Sequence, residues 1–267
     1  MIKDITIGQY IPGDSFIHKM DPRFKIIISI LFIVDLFLVN NFKGYLYIFI
    51  FILATILISK LSVKYIYNGL KPILVLLLIT AVLNIFMTSG SKAGLLFHYG
   101  FISIYKEGLI IAAFMIIRLV FLIMGTSILT LTTSPIELTD GIENLLNPFK
   151  KIGIPAHELA MMMTIALRFI PTLMDETDKI MKAQMARGAD FESGNLISRA
   201  KSLVPILVPL FISSFRRADE LAMAMESRCY KGGEGRTRMK QLKITNKDYI
   251  ASFAFLLLLV ITIASRT

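Results

Sequence analysis

Polar and apolar positions are unevenly distributed along the 267 residues of this chain. Up to residue 133, long apolar runs alternate with short polar connections; beyond it, apolar and charged stretches follow one another within longer segments. The early runs at 26–39, 44–59, 72–88 and 108–133 approach the roughly 20 apolar residues that cross a hydrocarbon core. A fifth run, 250–264, follows the charged region, with Tyr249 placed before it as an interfacial anchor. The run at 26–39 is short and broken by Ser29 and Asp35, whereas 108–133 is long enough to tilt. The pattern predicts an all-α polytopic membrane protein with about five transmembrane helices plus a pair of long helices on the cytoplasmic side.

Local signals divide the rest. Residues 1–25 read as a polar, turn-rich lead-in, with Pro12-Gly13-Asp14 and Asp21-Pro22-Arg23 as turn or helix-start signals and Lys25 at the membrane edge. Pro72 is expected to open the third span, because a first-turn proline forfeits no intrahelical bond. The stretch 89–107, with Gly90, Gly94 and Gly100, reads as an outer loop with a re-entrant part. Ser134-Pro135-Ile136-Glu137 has the cap, first-turn proline and acidic residue of a capping box. A helix is predicted over 156–186, kinked at Pro171 and stopped at Gly188. It starts apolar and turns amphipathic through Asp175, Glu176, Asp178, Lys179 and Lys182. A second long helix runs from Leu196 to Arg228, with Pro205 and Pro209 in its apolar half, and a glycine-rich connection follows at 231–236. The expected division is 1–133 for the lead-in and four spans, 134–249 for a cytoplasmic coupling region, and 250–267 for the last span.

Composition narrows the class. Hydrophobic residues make up 55% of the chain and charged residues 18%, a balance unlike that of a soluble domain. The net charge of +10 falls in the polar connections, so it is read as the positive-inside bias and not as a nucleic-acid footprint. That bias puts the N-terminus in the cytoplasm and, after five spans, the C-terminus outside, with only Arg266 to oppose it. No cleavable signal peptide is evident at the N-terminus. The lone Cys229 leaves no internal disulfide and fits a reducing cytoplasm.

Catalytic chemistry finds no foothold, and no cofactor or metal is expected. Gly232-Gly233-Glu234-Gly235 lacks the Lys-Ser/Thr that ends a phosphate-binding loop. His157-Glu158 resembles the start of a zinc-protease helix, but Met161 stands where the second histidine would be. His18 and His98 fall on opposite predicted sides of the membrane. Two charges inside spans carry more information, since such groups are costly and usually functional. Asp35 and Arg118 are expected either to form a structural ion pair, with Arg118 snorkelling toward Asp35, or to reach water or headgroups separately.

The most distinctive pattern is a repeat. Ala186-Arg187-Gly188 and Ser227-Arg228-Cys229 each close a long helix, at an offset of 228 − 187 = 41 that also aligns Asp178 with Asp219 and Ala183 with Ala224. An arginine late in a helix complements the negative end of the macrodipole. It also offers a fixed fork of donors for carboxylates or helix-end carbonyls, and small neighbours let a partner surface close around it. Two equivalent tips suit two partners.

Together with the lead-in Gly8-Gln9-Tyr10-Ile11-Pro12-Gly13-Asp14-Ser15, Asp21-Pro22-Arg23, and Ser134-Pro135-Ile136-Glu137-Leu138 with Gly141-Ile142-Glu143, these triplets resemble the transmembrane (T) component of energy-coupling factor transporters, the CbiQ-like family. The resemblance covers nearly the whole chain and follows the type shared among several substrate-binding subunits. It implies a non-enzymatic coupling subunit of an ABC-type importer of vitamins or metal ions, set in the lipid bilayer of a prokaryotic plasma membrane. Its implied partners are two cytoplasmic ABC ATPases, which hydrolyse the ATP, and a substrate-binding membrane (S) subunit. By the same resemblance, Arg187 and Arg228 would each dock in a groove of one ATPase. Ala-Arg-Gly matches the family pattern; Ser-Arg-Cys keeps the arginine but changes its neighbours. The alternatives are a stand-alone secondary transporter, which calls for inverted repeats around a midplane site, and a membrane-embedded enzyme, which calls for a convergent catalytic set.

Overall fold

The computed structural model describes residues 10–88, 95–99, 102–191, 195–233 and 241–265. The elements run α1 Pro22–Leu38, α2 Phe42–Ser59, α3 Val63–Leu70, α4 Leu74–Met87, β1 Leu95–Tyr99, β2 Ile102–Tyr105, α5 Lys106–Thr132, α6 Pro135–Leu146, α7 Ala156–Ala186, α8 Leu196–Glu226 and α9 Asn246–Ala264. They fall into two compact units, one within Gly8–Gly141 and Leu242–Thr267, the other within Ile142–Gln241.

Among the described residues, five helices are long and apolar enough to cross a membrane: Phe42–Ser59, Val63–Met87, Lys106–Thr132, Ile197–Glu226 and Asn246–Ala264. The protein is therefore an all-α polytopic membrane protein, as the hydropathy pattern predicts, but the membership of the five differs. The 17-residue α1 is shorter than all of these, and the apolar half of α8 joins the set. The third span also starts earlier than Pro72. α3 is already helical from Val63, and Lys71–Ile73 forms one 3-10 turn before α4. Pro72 has no N–H to give the carbonyl of Asn68, so the helix tightens there for a turn and continues.

The expected outer loop contains an antiparallel hairpin, in which Tyr99 pairs with Ile102 and His98 with Ser103. Residues 89–94, with Gly90 and Gly94, and residue Gly100 lie outside the described residues, as do Arg266 and the connection beyond Gly233.

The core of the first unit is built by α1, α2, α5 and α9. Phe32, Leu36, Ile48, Ile52, Phe121 and Phe255 are buried together in it. Gly125 on α5 leaves room for Phe32 of α1, whose ring occupies the space a Cβ would need. Phe51 and Phe255 meet edge-on with ring centroids 6.0 Å apart, joining α2 to α9.

A buried polar cluster closes one end of this core. Asp21 caps α1 by accepting from the Arg23 N–H at 2.9 Å, and its carboxylate binds the Arg23 guanidinium at 2.7 Å. Asp248 closes the capping box of α9, accepting from the Thr245 N–H at 2.7 Å and the Thr245 hydroxyl at 2.8 Å. Its other oxygen accepts the Asp21 N–H at 2.8 Å. One carboxylate thus starts α9 and holds the start of α1. Lys25 reaches the end of α5, donating to the Thr132 carbonyl at 3.0 Å, the Thr133 hydroxyl at 3.3 Å and the His18 carbonyl at 3.3 Å. Its ammonium so satisfies carbonyls that the helix end leaves without intrahelical donors. Burial pushes the Asp21 carboxyl up, but the hydrogen bonds from Arg23 and the charges of Arg23 and Lys25 outweigh it and hold Asp21 below its ordinary 3.8.

The second unit packs α7 against α8. α7 buries Ala156 and Ala160, and His157 Nδ1 meets Glu143 of α6 at 3.0 Å. α8 buries Ile206 but leaves Leu207, Val208, Phe211, Ile212 and Phe215 exposed.

Candidate functional site

α7 and α8 are each 31 residues long. They are bridged where Arg217 Nη2 donates to Glu176 Oε2 at 2.6 Å. These two residues are themselves 41 apart, the repeat offset, so equivalent positions of the two repeats face each other. That is what a local two-fold relation between the helices produces at its axis. From this contact each helix runs a further 11 residues to its arginine, 176 to 187 and 217 to 228, about 16 Å at 1.5 Å per residue.

Both helices stop in the same way. In the first, the N–H of Gly188 donates to the Met185 carbonyl and that of Ala189 to the Gln184 carbonyl, each at 3.0 Å. In the second, Cys229 donates to Glu226 at 2.8 Å and Tyr230 to Met225 at 3.0 Å. Each is the paired closure of a Schellman motif, which needs a left-handed residue just past the helix. Gly188 supplies it at φ 88° and Cys229 at φ 57°. The sequence marks Ser-Arg-Cys as a departure from Ala-Arg-Gly; the backbone folds it into the same shape. Cys229 holds a conformation costing an L-residue about 1–2 kcal/mol that glycine avoids.

Arg187 and Arg228 are exposed, as are Ala186, Gly188, Ser227 and Cys229. Neither guanidinium has a hydrogen-bond or ion-pair partner among the described residues. Each lies directly before the left-handed turn, beside the helix's last carbonyls, with its fork of donors turned to no described group of this chain.

Asp35 and Arg118 are both held within the first unit, but not by each other. Asp35 is fully buried and accepts the Thr262 hydroxyl of α9 at 2.6 Å. Arg118 donates from Nε to the Tyr45 hydroxyl at 3.1 Å and from Nη2 to the Val39 carbonyl at 3.1 Å and Asn40 Oδ1 at 3.3 Å. Its guanidinium also lies 5.4 Å from the centroid of the Phe37 ring. Of the two expectations, a direct pair or separate contacts, the described bonds are separate: Asp35 faces α9, while Arg118 reaches the turn between α1 and α2, where the Val39 carbonyl lies beyond the helix end. The polar cluster around Asp248 is the other feature that sequence reasoning missed. Its only signal is Thr245 followed three residues on by Asp248, the spacing of a capping box.

The sequence is similar to those of known proteins. The chain matches the family described as cobalt transport protein, CbiQ, over residues 13–239. It belongs to the CbiQ family. It is 74% identical over 266 residues to the energy-coupling factor transporter transmembrane protein EcfT of Clostridium kluyveri, covering 100% of this chain and 98% of the relative. It is 61% identical over 265 residues to the protein of that name from Thermosediminibacter oceani, covering 99% of each chain. The Bacillus subtilis protein of the same name is 51% identical over 248 residues, covering 93% of each. This member of the CbiQ family therefore resembles transporter transmembrane components over its whole length.

Proposed function

We propose that this chain is the transmembrane coupling subunit of an ABC-type energy-coupling factor importer. It joins two cytoplasmic ATPases to a substrate-binding membrane subunit for uptake of a vitamin or metal ion, and ATP hydrolysis belongs to the ATPases. Arg187 and Arg228 each dock in one ATPase, the N-terminus is cytoplasmic, and the complex lies in the plasma membrane of a prokaryote. The observation that carries the reading is the equivalence of the two tips, with the same backbone closure, the same exposed arginine and the same length beyond the Glu176–Arg217 contact. A single arginine serving only its helix dipole accounts for one tip. Two matched and unpaired tips suit a pair of alike partners.

The test is copurification of ATPases with the tagged chain. Arg187→Glu and Arg228→Glu should each weaken ATPase attachment by about 30-fold, the loss expected when an interfacial hot-spot arginine worth about 2 kcal/mol is removed. The double variant should come out with its helical content intact and no ATPase bound. Undiminished ATPase in the double variant would sink the docking role.

A further inference from the structure

The sequence reads the chain leaving the second tip as a glycine-rich connection, and the structure gives its first two glycines separate tasks. Past the left-handed Cys229, Gly232 turns the backbone again at φ 89° with open space around it. A left-handed turn with no neighbour calls for glycine by conformation alone. Gly233 is called for by space. A Cβ there would lie 2.5 Å from His157 Cδ2 and 2.8 Å from Cγ, well inside the roughly 3.5–4.0 Å at which carbon atoms pack. The Gly233 backbone therefore rests directly against the imidazole.

His157 makes a firm seat. It lies in the first turn of α7, and its Nδ1 meets Glu143 Oε1 of α6 at 3.0 Å, with both side chains partly buried. Nε2 is buried without a hydrogen-bond partner, so the ring is oriented by Glu143 through one nitrogen and elsewhere by packing. A ring that swung aside to admit a side chain at 233 would give up the contact with Glu143.

The seat belongs to one tip only. Gly233 follows Arg228 by five residues, which puts the two Cα atoms at most about 18 Å apart even in a fully extended chain, and the turns at Cys229 and Gly232 shorten that reach. Arg187 is 30 residues from His157 at the far end of α7, about 45 Å along the helix at 1.5 Å per residue. The end of α8 is thus tied to the start of α7, close to the second arginine and remote from the first.

We infer that Gly233 and His157 are positioning residues for Arg228: the seat fixes the direction in which the second tip presents its guanidinium. The inference rests on the docking role proposed above for the two arginines. Holding the chain on both sides of Arg228, by the helix before it and the seat after it, reduces the ordering that a partner must impose on binding.

The test titrates the ATPases that copurify with the wild-type chain against full-length chains that keep one arginine tip. In the Arg187→Glu background, where attachment rests on the second tip, Gly233→Ala should weaken ATPase binding several-fold. In the Arg228→Glu background, where it rests on the first, the same substitution should change nothing. That second titration also reports that the variant is folded. His157→Ala, which removes the seat without a clash, should weaken second-tip binding too. The pair His157→Ala with Gly233→Ala should recover much of the loss, because the new methyl takes the space of Cδ2 and Cγ. Equal losses in both backgrounds, no loss in the Arg187→Glu background, or no recovery in the pair would overturn the inference. Failure of the docking role reads differently: Arg228→Glu alone then leaves binding at the wild-type value, whereas a failed seat keeps the Arg228→Glu loss and makes Gly233→Ala silent.

Discussion

The two units of this protein treat several of their charged groups differently. In the first, Asp248, Lys25 and Arg118 are anchored by hydrogen bonds within the unit. Asp248 accepts three hydrogen bonds, Lys25 donates three, and Arg118 binds a carbonyl, a phenol and an amide. In the second, the arginines at the helix tips have no partner among the described residues. A fold that places polar groups inside must pair them, because an unpaired buried donor or acceptor costs about 1–3 kcal/mol. An exposed guanidinium meets no such demand, because water satisfies its donors. The difference separates residues that hold the molecule together from residues that the fold itself leaves unused.

Substitutions should separate the same two groups, the first affecting stability and the second only assembly. The largest effect is expected at Asp248. Asp248→Ala strands the N–H of Asp21 at the start of α1 and removes the Asp248 half of the α9 capping box. One unsatisfied buried donor, the Asp21 N–H, and the lost half of the α9 capping box predict a loss of about 2–4 kcal/mol, seen as a large fall in thermal stability in detergent or in failure to accumulate in the membrane. Arg187→Glu should leave that melting curve unchanged. If both substitutions lower it equally, the contrast between the two units collapses.

Arg118 comes next. Arg118→Leu keeps an apolar stem and removes the bonds of Arg118 to the Tyr45 hydroxyl and the Val39 carbonyl, but leaves the Tyr45 hydroxyl donating to that carbonyl at 3.2 Å, and should cost about 1–2 kcal/mol. Asp35→Asn retains an oxygen for the Thr262 hydroxyl. Since Asp35 and Arg118 have separate partners, the double variant should lose the sum of the two single losses, within about 0.5 kcal/mol. A coupling well beyond that, in thermal denaturation of the four proteins, would restore the direct ion pair.

The Glu176–Arg217 bridge tests the relation between the long helices. Both side chains are partly solvated, at 23% and 31% exposure, so the pair contributes no more than about 1 kcal/mol. Glu176→Gln should therefore barely move the melting temperature. By loosening the one described point where equivalent repeat positions meet, it should lower transport at undiminished ATPase attachment, measured by substrate uptake alongside copurification. Unchanged uptake would show that this contact does not set the geometry of the arms.

How much of this was legible in the sequence follows from the range of the forces involved. The limits of α7 and the stop at Gly188 are local facts, written in apolar periodicity and in a glycine past a helix end, and the sequence places them closely. Membership of the five long apolar helices was less legible, because a short α1 bearing Asp35 and a long α8 bearing charges at its ends sit on either side of the same length and hydropathy threshold. The hairpin at 95–105 was missed because pairing across a turn leaves little trace in a window of hydropathy. The partner of Asp35 is hidden for another reason. Charge complementarity pointed to Arg118, whereas the tertiary fold offered a hydroxyl from Thr262, 227 residues away in sequence. The reach from Asp248 to Asp21, also 227 residues, was hidden for the same reason.

The smallest expected effect has the opposite sign and lies at the second tip. Cys229 takes φ 57° where its counterpart in the repeat is Gly188 at φ 88°. Relief of the left-handed conformation should return about 1–2 kcal/mol on Cys229→Gly, against about 0.5–1 kcal/mol lost to the greater freedom of glycine in the unfolded chain. The net is a gain of about 0.5 kcal/mol, read as a small upward shift of the melting curve. Cys229→Val should go the other way by more, since a β-branched side chain tolerates the left-handed region poorly. Neither change touches the Arg228 guanidinium. If Cys229→Gly raises stability while ATPase attachment is kept, the cysteine is tolerated there because the closure of the helix, more than the residue that supplies it, positions the arginine. If attachment instead falls, the Cys229 side chain is itself part of the surface the partner meets.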